Sequence, residues 1–488
     1  QIPAFTGVAD SHVTDLNYAE FTDDYLPDVF YGRLSARTTS SLQSILNKTI
    51  TYEKYLFEED NFLNSALLVA GVETTQTTIT NGHVNYAKDY VVARASDTSC
   101  YYNPNSGNQV SEVLGKINQG QSWINYTAHC SSEGWYQPAF RSSNVNSLTN
   151  TGKYSFLINN CCQAGMYGET ECFSEKVVRA DNKGAVASIA ASNYTYWNED
   201  FYWAIGNKTV SNEPSYNANH LGAYDKYFHT HNEARTKQYI TAGQIMVGGN
   251  LAVEESNSSL KNYYWEVYNL MGDPTLMPYV GVPQNLAIAF EPTIPAGQES
   301  FIVTTEPYAY VALSKDGVLF DAQEADENGQ ISFNLSSIVE PCVMQLVATA
   351  QFRKPLFDSI NIISNNNPYI IISDLELLDA DNNNAVVDKV KENTNYNVRM
   401  KIKNCGTQAF QSAQNNITFT NEDNMSAINS LPLQLPYLGG NSDTIVQAGF
   451  SFTTTQGIQD GQTLSFTAHI NGGEFSREQA ISFDAAAP

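Results

Sequence analysis

Three short apolar runs in the N-terminal half constrain the fold more than any other feature of this sequence. The first two, 122–129 and 154–160, are rich in β-branched and aromatic residues and predict buried strands. The third, 184–192, consists almost entirely of small and β-branched residues, which suits a central parallel strand covered on both faces. A helical run from Glu171 to Ala180 separates the second from the third. The pattern therefore predicts an α/β domain built on a mostly parallel sheet flanked by helices.

The residues that follow these runs can carry out chemistry. The first run ends at His129, the second is followed by Cys161 and Cys162, and Trp197 comes shortly after the third. Because ligands of open α/β sheets bind beyond the carboxyl ends of the strands, we expect these residues at one site. A cysteine attacks carbonyl groups as the thiolate, and an imidazole within reach lowers its pKa and protonates the leaving amine. Spacing alone does not pair the two, since a histidine and a cysteine this far apart are bystanders in most proteins.

A zinc site is the alternative interpretation of the same residues. Its donors would be His129, Cys130, Cys161, Cys162 and Cys172, but neighbours on extended chain point to opposite faces, and no Cys-x-x-Cys pair occurs. The seven cysteines are thinly spread and odd in number, so the chain is no disulfide scaffold and at least one thiol is left over. Cys161 is expected to be a small, buried apolar side chain.

Four motifs in a fixed order resemble the catalytic domain of the gingipain family of cysteine peptidases, which are relatives of the caspases. The likeness extends roughly from Ile2 to Pro283, and it implies a caspase-like fold and peptide-bond hydrolysis. The motifs are Asn-Tyr-Thr-Ala-His-Cys-Ser-Ser-Glu-Gly-Trp at 125–135, Asn-Cys-Cys-Gln-Ala-Gly at 160–165 followed by Glu-Cys-Phe at 171–173, the run 184–192 with Trp197, and Leu-Met-Gly-Asp-Pro-Thr-Leu at 270–276.

The resemblance implies a catalytic role for each of four residues. Cys162 matches the family's nucleophile, His129 its general base, and Glu73 the carboxylate that orients the histidine. Main-chain N–H groups of Cys130 and Cys162 are expected to hold the oxyanion. The family has a glycine where this chain has Cys130, but a main-chain donor survives that change, because the N–H and not the side chain stabilises the oxyanion.

The same resemblance implies a substrate pocket lined by Trp197, Thr127 and Asn160. The acid that reads arginine in Arg-specific members should fall near Asn81-Gly-His83, and no Asp or Glu occurs between Glu73 and Asp89. An unpaired cation in an apolar pocket is costly. We therefore predict weak or no preference for arginine at P1, unless the pair Glu199–Asp200 supplies the acid from the other side.

The net charge of the chain limits the classes of partner that it is expected to bind. The net charge of −25 and the pI of about 4.5 argue against nucleic acid and against anionic membrane surfaces. No apolar run is long enough to span a membrane. An acidic, solvated surface suits a secreted or cell-surface protein, and the resemblance implies a bacterial one. No cofactor is expected for catalysis, but the resemblance implies structural calcium, for which the acidic stretch 19–33 offers oxygen ligands; a plain charged loop explains that stretch equally well.

The composition changes after residue 281. Short alternating runs separated by turn signals such as Lys-Asp-Gly at 315–317 predict an immunoglobulin-like β-sandwich over 282–365 and a second over 366–488. Neither carries a catalytic cluster, so both are expected to be structural or cell-surface modules. The first domain, 1–281, closes with a helix predicted over 262–271. The resemblance implies that the family's domain begins upstream of Gln1, so its N-terminal segment or a propeptide is an expected partner besides protein or peptide substrates.

Two functions remain open from the sequence. The first is a secreted cysteine endopeptidase that uses Cys162 and His129. The second is a catalytically degenerate caspase-like scaffold that acts as a cell-surface interaction or adhesion protein through its sandwiches. Because the thiol, the imidazole and a candidate carboxylate are all present, the sequence favours the enzyme.

Overall fold

The chain forms two compact units in this computed structural model. The first comprises Gln1–Asn285 and Gln351–Pro355, and the second comprises Leu286–Ala350 and Leu356–Pro488. The predicted boundary after residue 281 falls close to this division, whereas the separation of the last two domains at 365 stays a prediction. The structure describes residues 2–8, 12–168, 170–364, 367–410, 416–421, 425–458, 462–472 and 475–486.

The strands of the first unit form a six-stranded sheet and small pairs around it. They are β1 (Phe5–Thr6), β2 (Val13–Thr14), β3 (Ser65–Ala70), β4 (Asp97–Tyr101), β5 (Trp123–Thr127), β6 (Cys130–Ser131), β7 (Gly134–Trp135), β8 (Ser155–Asn160), β9 (Ala185–Ala191), β10 (Tyr268–Met271) and β11 (Gln284–Asn285). The sheet order is β10-β9-β8-β5-β3-β4. All neighbours are parallel except β10, which runs antiparallel to β9. The predicted parallel sheet is confirmed.

Helices cover both faces of this sheet, so its central strands are buried on both sides. The core on one face includes Leu68 and Ile158, and that on the other includes Leu67 and Leu157. No helix among the described residues is long and apolar enough to cross a membrane. The helices are α1 (Thr39–Glu53), α2 (Thr77–Val92), α3 (Val110–Gln119), α4 (Ser142–Val145), α5 (Phe173–Arg179), α6 (Trp197–Ile205), α7 (Ala223–Phe228), α8 (Ala242–Glu255) and α9 (Lys261–Val267).

The helix predicted over 262–271 is wrong in its second half. Helix α9 ends at Val267, and the next four residues form strand β10. This strand pairs with β9, from Tyr268 opposite Ala191 to Met271 opposite Ser188. The edge of a sheet offers unpaired backbone groups to which a further strand can hydrogen-bond, and this long-range pairing leaves no signal in the local pattern.

The second unit is all β within its described residues. Two sheets, of order β12-β14-β17 and β13-β20-β18-β15-β16, precede two more, of order β22-β21-β23-β27-β25 and β26-β24-β28-β29. Each pair of sheets has its own apolar core. The strands are β12 (Ile288–Phe290), β13 (Thr293–Pro295), β14 (Phe301–Thr305), β15 (Tyr310–Lys315), β16 (Val318–Glu324), β17 (Gln330–Phe333), β18 (Cys342–Thr349), β19 (Arg353–Lys354, within the first unit), β20 (Leu356–Ile363), β21 (Ile370–Asp379), β22 (Ala385–Val387), β23 (Asn395–Asn404), β24 (Asn416–Asn421), β25 (Ser426–Ile428), β26 (Leu433–Gln434), β27 (Asp443–Thr454), β28 (Thr463–Gly472) and β29 (Phe475–Asp484).

Candidate active site

The candidate active site lies where the neighbouring strands β5 and β8 end. Their pairing runs as far as Thr127 opposite Asn160. His129 follows β5 by two residues, and Cys162 follows β8 by two residues. Parallel, in-register strands deliver the residues after them to the same edge of the sheet. The sheet therefore brings the imidazole and the thiol to one edge, as the sequence predicted.

Glu73 reaches the same edge from β3, the other neighbour of β5. Its Oε2 lies 2.6 Å from Nε2 of His129. Its Oε1 accepts hydrogen bonds from the main-chain N–H groups of Thr74 and Thr75, both at 2.6 Å, and from Thr75 Oγ1 at 2.9 Å. Burial opposes ionisation, but these donors and the imidazole outweigh it and lower the pKa of Glu73 to about 2. The histidine therefore faces a permanently charged carboxylate.

The position of His129 is fixed by its main chain as well as by its ring. Its carbonyl oxygen accepts hydrogen bonds from Tyr136 N–H at 3.1 Å and from the Tyr126 hydroxyl at 3.0 Å. Its ring meets that of Trp197 edge to face, with 5.3 Å between the centroids. The side chain is still 48% exposed. The imidazole is thus held in place and open to a ligand at once.

Cys162 lies on a tight turn that is anchored to the end of β9. Gln163 has a φ of 60°, in the left-handed region that few non-glycine residues adopt. Its N–H donates to Asn193 O at 2.9 Å, and Gly165 N–H donates to Ala191 O at 2.9 Å. These two hydrogen bonds fix the turn and project the half-buried thiol from it.

The Cys162 thiol is not activated by its immediate surroundings. Burial raises the pKa of Cys162, and the charge of Asp200 adds to that effect, while hydrogen bonds from Thr195 oppose it. The main-chain N–H of Thr195 donates to Sγ at 3.4 Å. Thr195 is a site residue that sequence reasoning did not single out, although it lies in the stretch ahead of Trp197.

Thr127 and Asn160 lie below the site, with their side chains completely buried. Thr127 Oγ1 is 3.1 Å from His83 Nδ1, and Asn160 Nδ2 donates to Asp200 O at 3.3 Å. These hydrogen bonds direct the last side chains of the two strands into the helix layer beneath the site, and their part in a substrate pocket stays a prediction. Trp197, by contrast, is half-buried and adjoins His129.

Asp200 lies one helical turn after Trp197 on α6 and is only 4% exposed. Its carboxylate accepts hydrogen bonds from Thr195 Oγ1 at 2.7 Å, Tyr264 OH at 2.9 Å and Tyr268 OH at 2.8 Å. Burial raises the pKa of Asp200 to about 7, in spite of these donors. A carboxylate with this pKa, in electrostatic contact with the candidate nucleophile, is typical of a functional site.

Cys130 and Cys161 form a disulfide. Cys161 is buried, as predicted, but its sulfur is bonded to that of Cys130 and does not merely fill space in the core. Because the bond consumes two of the five donors proposed for zinc, and Cys172 lies in the core, the zinc interpretation is wrong. The pairing brings together residues far apart in the sequence, and an odd set of seven cysteines gave no way to deduce it.

Carboxylates of the acidic stretch 19–33 accept hydrogen bonds from main-chain groups of the same stretch. Glu20 Oε1 accepts hydrogen bonds from Thr22 and Asp24 N–H, and Asp28 Oδ2 accepts one from Phe21 N–H. Among the residues that the structure describes, no group of three or more His, Cys, Asp or Glu side chains could hold a metal ion. Calcium in this stretch rests on the resemblance alone, and no step below passes through a metal.

A cysteine and a carboxylate-bound histidine beyond the carboxyl ends of parallel strands are the arrangement expected of a cysteine peptidase. The profile of Peptidase family C25 matches residues 1–279, more than half of the chain. This chain belongs to that family.

Relatives of known name agree with this assignment. Lys-gingipain of Porphyromonas gingivalis is 31% identical over 385 residues, which cover 74% of this chain and 21% of that protein. This chain thus spans about a fifth of the length of that relative. A solved protease structure is 29% identical, with a TM-score of 0.66, over 74% of this chain and 80% of that chain. A complex of gingipain R pro- and mature domains is 20% identical, with a TM-score of 0.59, over 72% of this chain and 81% of that one; this likeness supports the fold alone.

Proposed function

We propose that this protein is a secreted endopeptidase that hydrolyses peptide bonds through Cys162 and His129. The observation that carries the proposal is the distance of 2.6 Å between Glu73 Oε2 and His129 Nε2. His129 follows β5, and the neighbouring strand β8 leads to Cys162. The contact between Glu73 and His129 holds one tautomer of the imidazole, because Nε2 must donate to a charged carboxylate and Nδ1 is left as the base. A degenerate scaffold would have no need for this contact.

The proposed reaction is acyl transfer in two stages. His129 takes the proton of Cys162, and the thiolate sulfur attacks the peptide carbonyl carbon. The C–N bond then breaks, and the imidazolium protonates the leaving amine. In the second stage His129 deprotonates a water molecule, whose oxygen attacks the acyl carbon; the C–S bond then breaks, and the sulfur takes the proton back from the imidazolium. Main-chain N–H groups of Cys130 and Cys162 are proposed to stabilise the oxyanion in both stages.

The first test is substitution of the two reacting groups. Cys162→Ala and His129→Ala should each abolish turnover, because neither can be bypassed in the proposed reaction. Cys100→Ala, which removes a half-buried thiol on β4, is the matched control and should retain activity. If Cys161→Ala abolishes cleavage of a peptide substrate and Cys162→Ala does not, the nucleophile is wrongly assigned.

We further propose that the enzyme prefers lysine at P1 and that Asp200 reads its ammonium group. Asp200 is buried close to Cys162 and shares a helix face with Trp197, and the named relative at 31% identity is a Lys-gingipain. Glu199 is the weaker candidate, since its carboxylate is half-buried and accepts a hydrogen bond from Ser258 Oγ at 2.6 Å. A buried carboxylate offsets the cost of burying the lysine charge.

A P1 peptide library tests this preference. Asp200→Asn should remove it, lowering kcat/KM for lysine by about 10²-fold or more relative to norleucine, whereas Glu199→Gln should keep it. Because the pKa of Asp200 is raised to about 7, the carboxylate becomes charged as the pH rises from 6 to 8. The ratio of kcat/KM for lysine over norleucine should therefore increase across that range. A ratio that is flat in pH and unchanged in Asp200→Asn would remove Asp200 from recognition.

We also propose roles for the second unit, a propeptide partner and export of the chain. The two pairs of sheets in the second unit support immunoglobulin-like modules at 282–365 and 366–488, serving attachment or spacing at the cell surface. A propeptide is a proposed partner of this domain, on the resemblance of its motifs to the gingipain family. Export of the chain would agree with the Cys130–Cys161 disulfide, because such bonds persist in oxidising compartments.

A further inference from the structure

The Cys130–Cys161 disulfide lies next to both proposed catalytic residues in the sequence. Cys130 directly follows His129, and Cys161 directly precedes Cys162. The bond therefore joins the two segments that carry the proposed base and the proposed nucleophile, one residue away from each. Its Cα atoms are 5.5 Å apart. No other described cysteines are bonded in this way, since the remaining five are free.

The disulfide begins where the sheet stops holding these segments together. Strand pairing between β5 and β8 ends at Thr127 and Asn160, and after that rung the two backbones separate into loops. A side-chain hydrogen bond also joins the segments, from Trp135 Nε1 to Asn159 Oδ1 at 2.7 Å. That contact lies beneath the loops, whereas the disulfide links the loops themselves.

Both sulfurs are shielded from solvent. Cys130 is 5% exposed and Cys161 is fully buried, in the apolar core that includes Trp135 and Phe140. The thiol of Cys162, on the next residue, is half-buried and free. The bonded pair is therefore less accessible to solvent than the free thiol beside it. The two sulfur states can coexist one residue apart.

We propose that the Cys130–Cys161 disulfide is a positioning element that sets the separation of His129 from Cys162 and holds the main-chain N–H groups of residues 130 and 162 in register for the oxyanion. This inference rests on the proposed function. Because the Cys162 thiol is not activated by its own surroundings, an imidazole displaced by about 1 Å would lose much of the rate, on the order of 10²-fold. Without the bond, the contacts of His129 with Tyr126, Tyr136 and Glu73 would still hold the histidine, but they do not reach the turn that carries Cys162.

Mass spectrometry gives the first test. Digestion of the native protein without reductant should yield a peptide pair joined through Cys130 and Cys161, with Cys162 available to iodoacetamide. Free thiols at both positions 130 and 161 in active protein would overturn the proposal at once. This result does not depend on whether any variant folds.

The second test compares the double variant Cys130→Ala/Cys161→Ala with Val113→Ala. Val113 is buried on α3, on the same face of the sheet and outside the site, so its truncation lowers stability alone. The double variant should lose about 10- to 100-fold in kcat with KM changed by less than about twofold. The pH at which iodoacetamide labels Cys162 at half its maximal rate should rise. Val113→Ala should lower Tm and leave kcat and the labelling profile as in the wild type.

A double variant with a lower Tm but with wild-type kcat and labelling profile would show that the bond is only structural. If the alanine pair does not fold, Cys130→Ser/Cys161→Ser is the second variant, because serine is closer to cysteine in size. Failure of the proposed function is a separate outcome, since it would appear as retained turnover in Cys162→Ala. The labelling profile reports the thiol itself and stays readable in either case.

Discussion

Glu73 is the residue in this site whose chemistry depends most on its surroundings. In the sequence it is one of 51 acidic residues, and a glutamate at the end of an apolar run is usually just exposed. In the structure two main-chain N–H groups and a threonine hydroxyl hold one carboxylate oxygen, while the other meets His129. Asn103 holds the backbone of Glu73, donating from Nδ2 to its carbonyl oxygen at 2.7 Å. The carboxylate of Glu73 is thus both charged and held in an orientation that faces His129.

Glu73→Gln should lower kcat by about 10²-fold, because an amide neither stabilises the imidazolium nor selects the tautomer as a carboxylate does. The rate of Cys162 labelling by a small alkylating agent should fall with it, while the thiol stays in place. Glu112→Gln on the exposed side of α3 is the charge-matched control. Equal kcat values for the wild type and Glu73→Gln would exclude Glu73 from the mechanism.

The direction in which the stability contributed by Glu73 changes with pH follows from its pKa. Its pKa is lowered to about 2 in the folded protein, against about 4.3 in an unfolded chain. The stability that Glu73 contributes is therefore complete above pH 4 to 5 and is lost as the pH falls towards 2. In kcat/KM measured from pH 5 to 9, neither limb should belong to Glu73, because its carboxylate stays charged across that range. A difference in free energy of unfolding between the wild type and Glu73→Gln that does not shrink as the pH falls from 5 to 3 would contradict this assignment.

At the scale of elements, helix α6 carries the proposed pocket residues and is positioned by helix α8. Gly249 on α8 lies against the indole of Trp203 on α6, and a Cβ built on Gly249 would come 2.1 Å from Trp203 Cε2. The neighbouring Asn250 accepts a hydrogen bond from Trp203 Nε1 at 3.0 Å. The glycine is there because the two helices approach too closely for any side chain.

Gly249→Ala should destabilise the protein by about 1–3 kcal/mol, because the extra methyl group overpacks a rigid indole. It should also lower kcat/KM, since displacement of α6 moves Trp197 and Asp200. Gly115→Ala on α3 is the matched control, with no atom within 4 Å of the added Cβ, and should stabilise by about 0.5–1 kcal/mol through helix propensity alone. Urea unfolding and peptide cleavage measure both effects. Equal stability of the two variants would contradict the packing argument.

At the scale of the whole molecule, the first unit is completed by a segment distant in the sequence. Residues 351–355 belong to it, and β19 pairs in parallel with β11. The ring of Phe352 is 8% exposed, lies 5.6 Å from that of Tyr227 and has the guanidinium carbon of Arg94 3.5 Å from its centroid. Part of the core of the peptidase unit thus comes from beyond its predicted boundary at 281.

Phe352→Ala should lower the stability of the first unit by about 3–5 kcal/mol, as large aromatic truncations in cores do. Thermal inactivation of peptide cleavage should occur at a clearly lower temperature. Phe357→Ala, at a ring that is 51% exposed on β20, should change stability by less than about 0.5 kcal/mol. If both variants inactivate at the wild-type temperature, Phe352 does not support the peptidase unit.

The sequence by itself determined the parallel sheet and the placement of His129 and Cys162 at its edge. Strands buried on both faces have continuous apolar runs in the sequence. The residues that follow neighbouring parallel strands lie at the same end of the sheet, irrespective of the other elements. The motif order also determined the family, because it links residue types at several separated positions. These signals are local or are repeated along the chain, so they can be read without coordinates.

Only the tertiary structure decided the features that depend on distant segments meeting. It paired Cys130 with Cys161, turned residues 268–271 from a predicted helix into an edge strand, and buried Thr127 and Asn160 under the site. It also raised the pKa of Asp200 by enclosing it among side chains from other elements. Such properties are set by through-space distance and by exclusion of water, and neither quantity is a function of sequence separation.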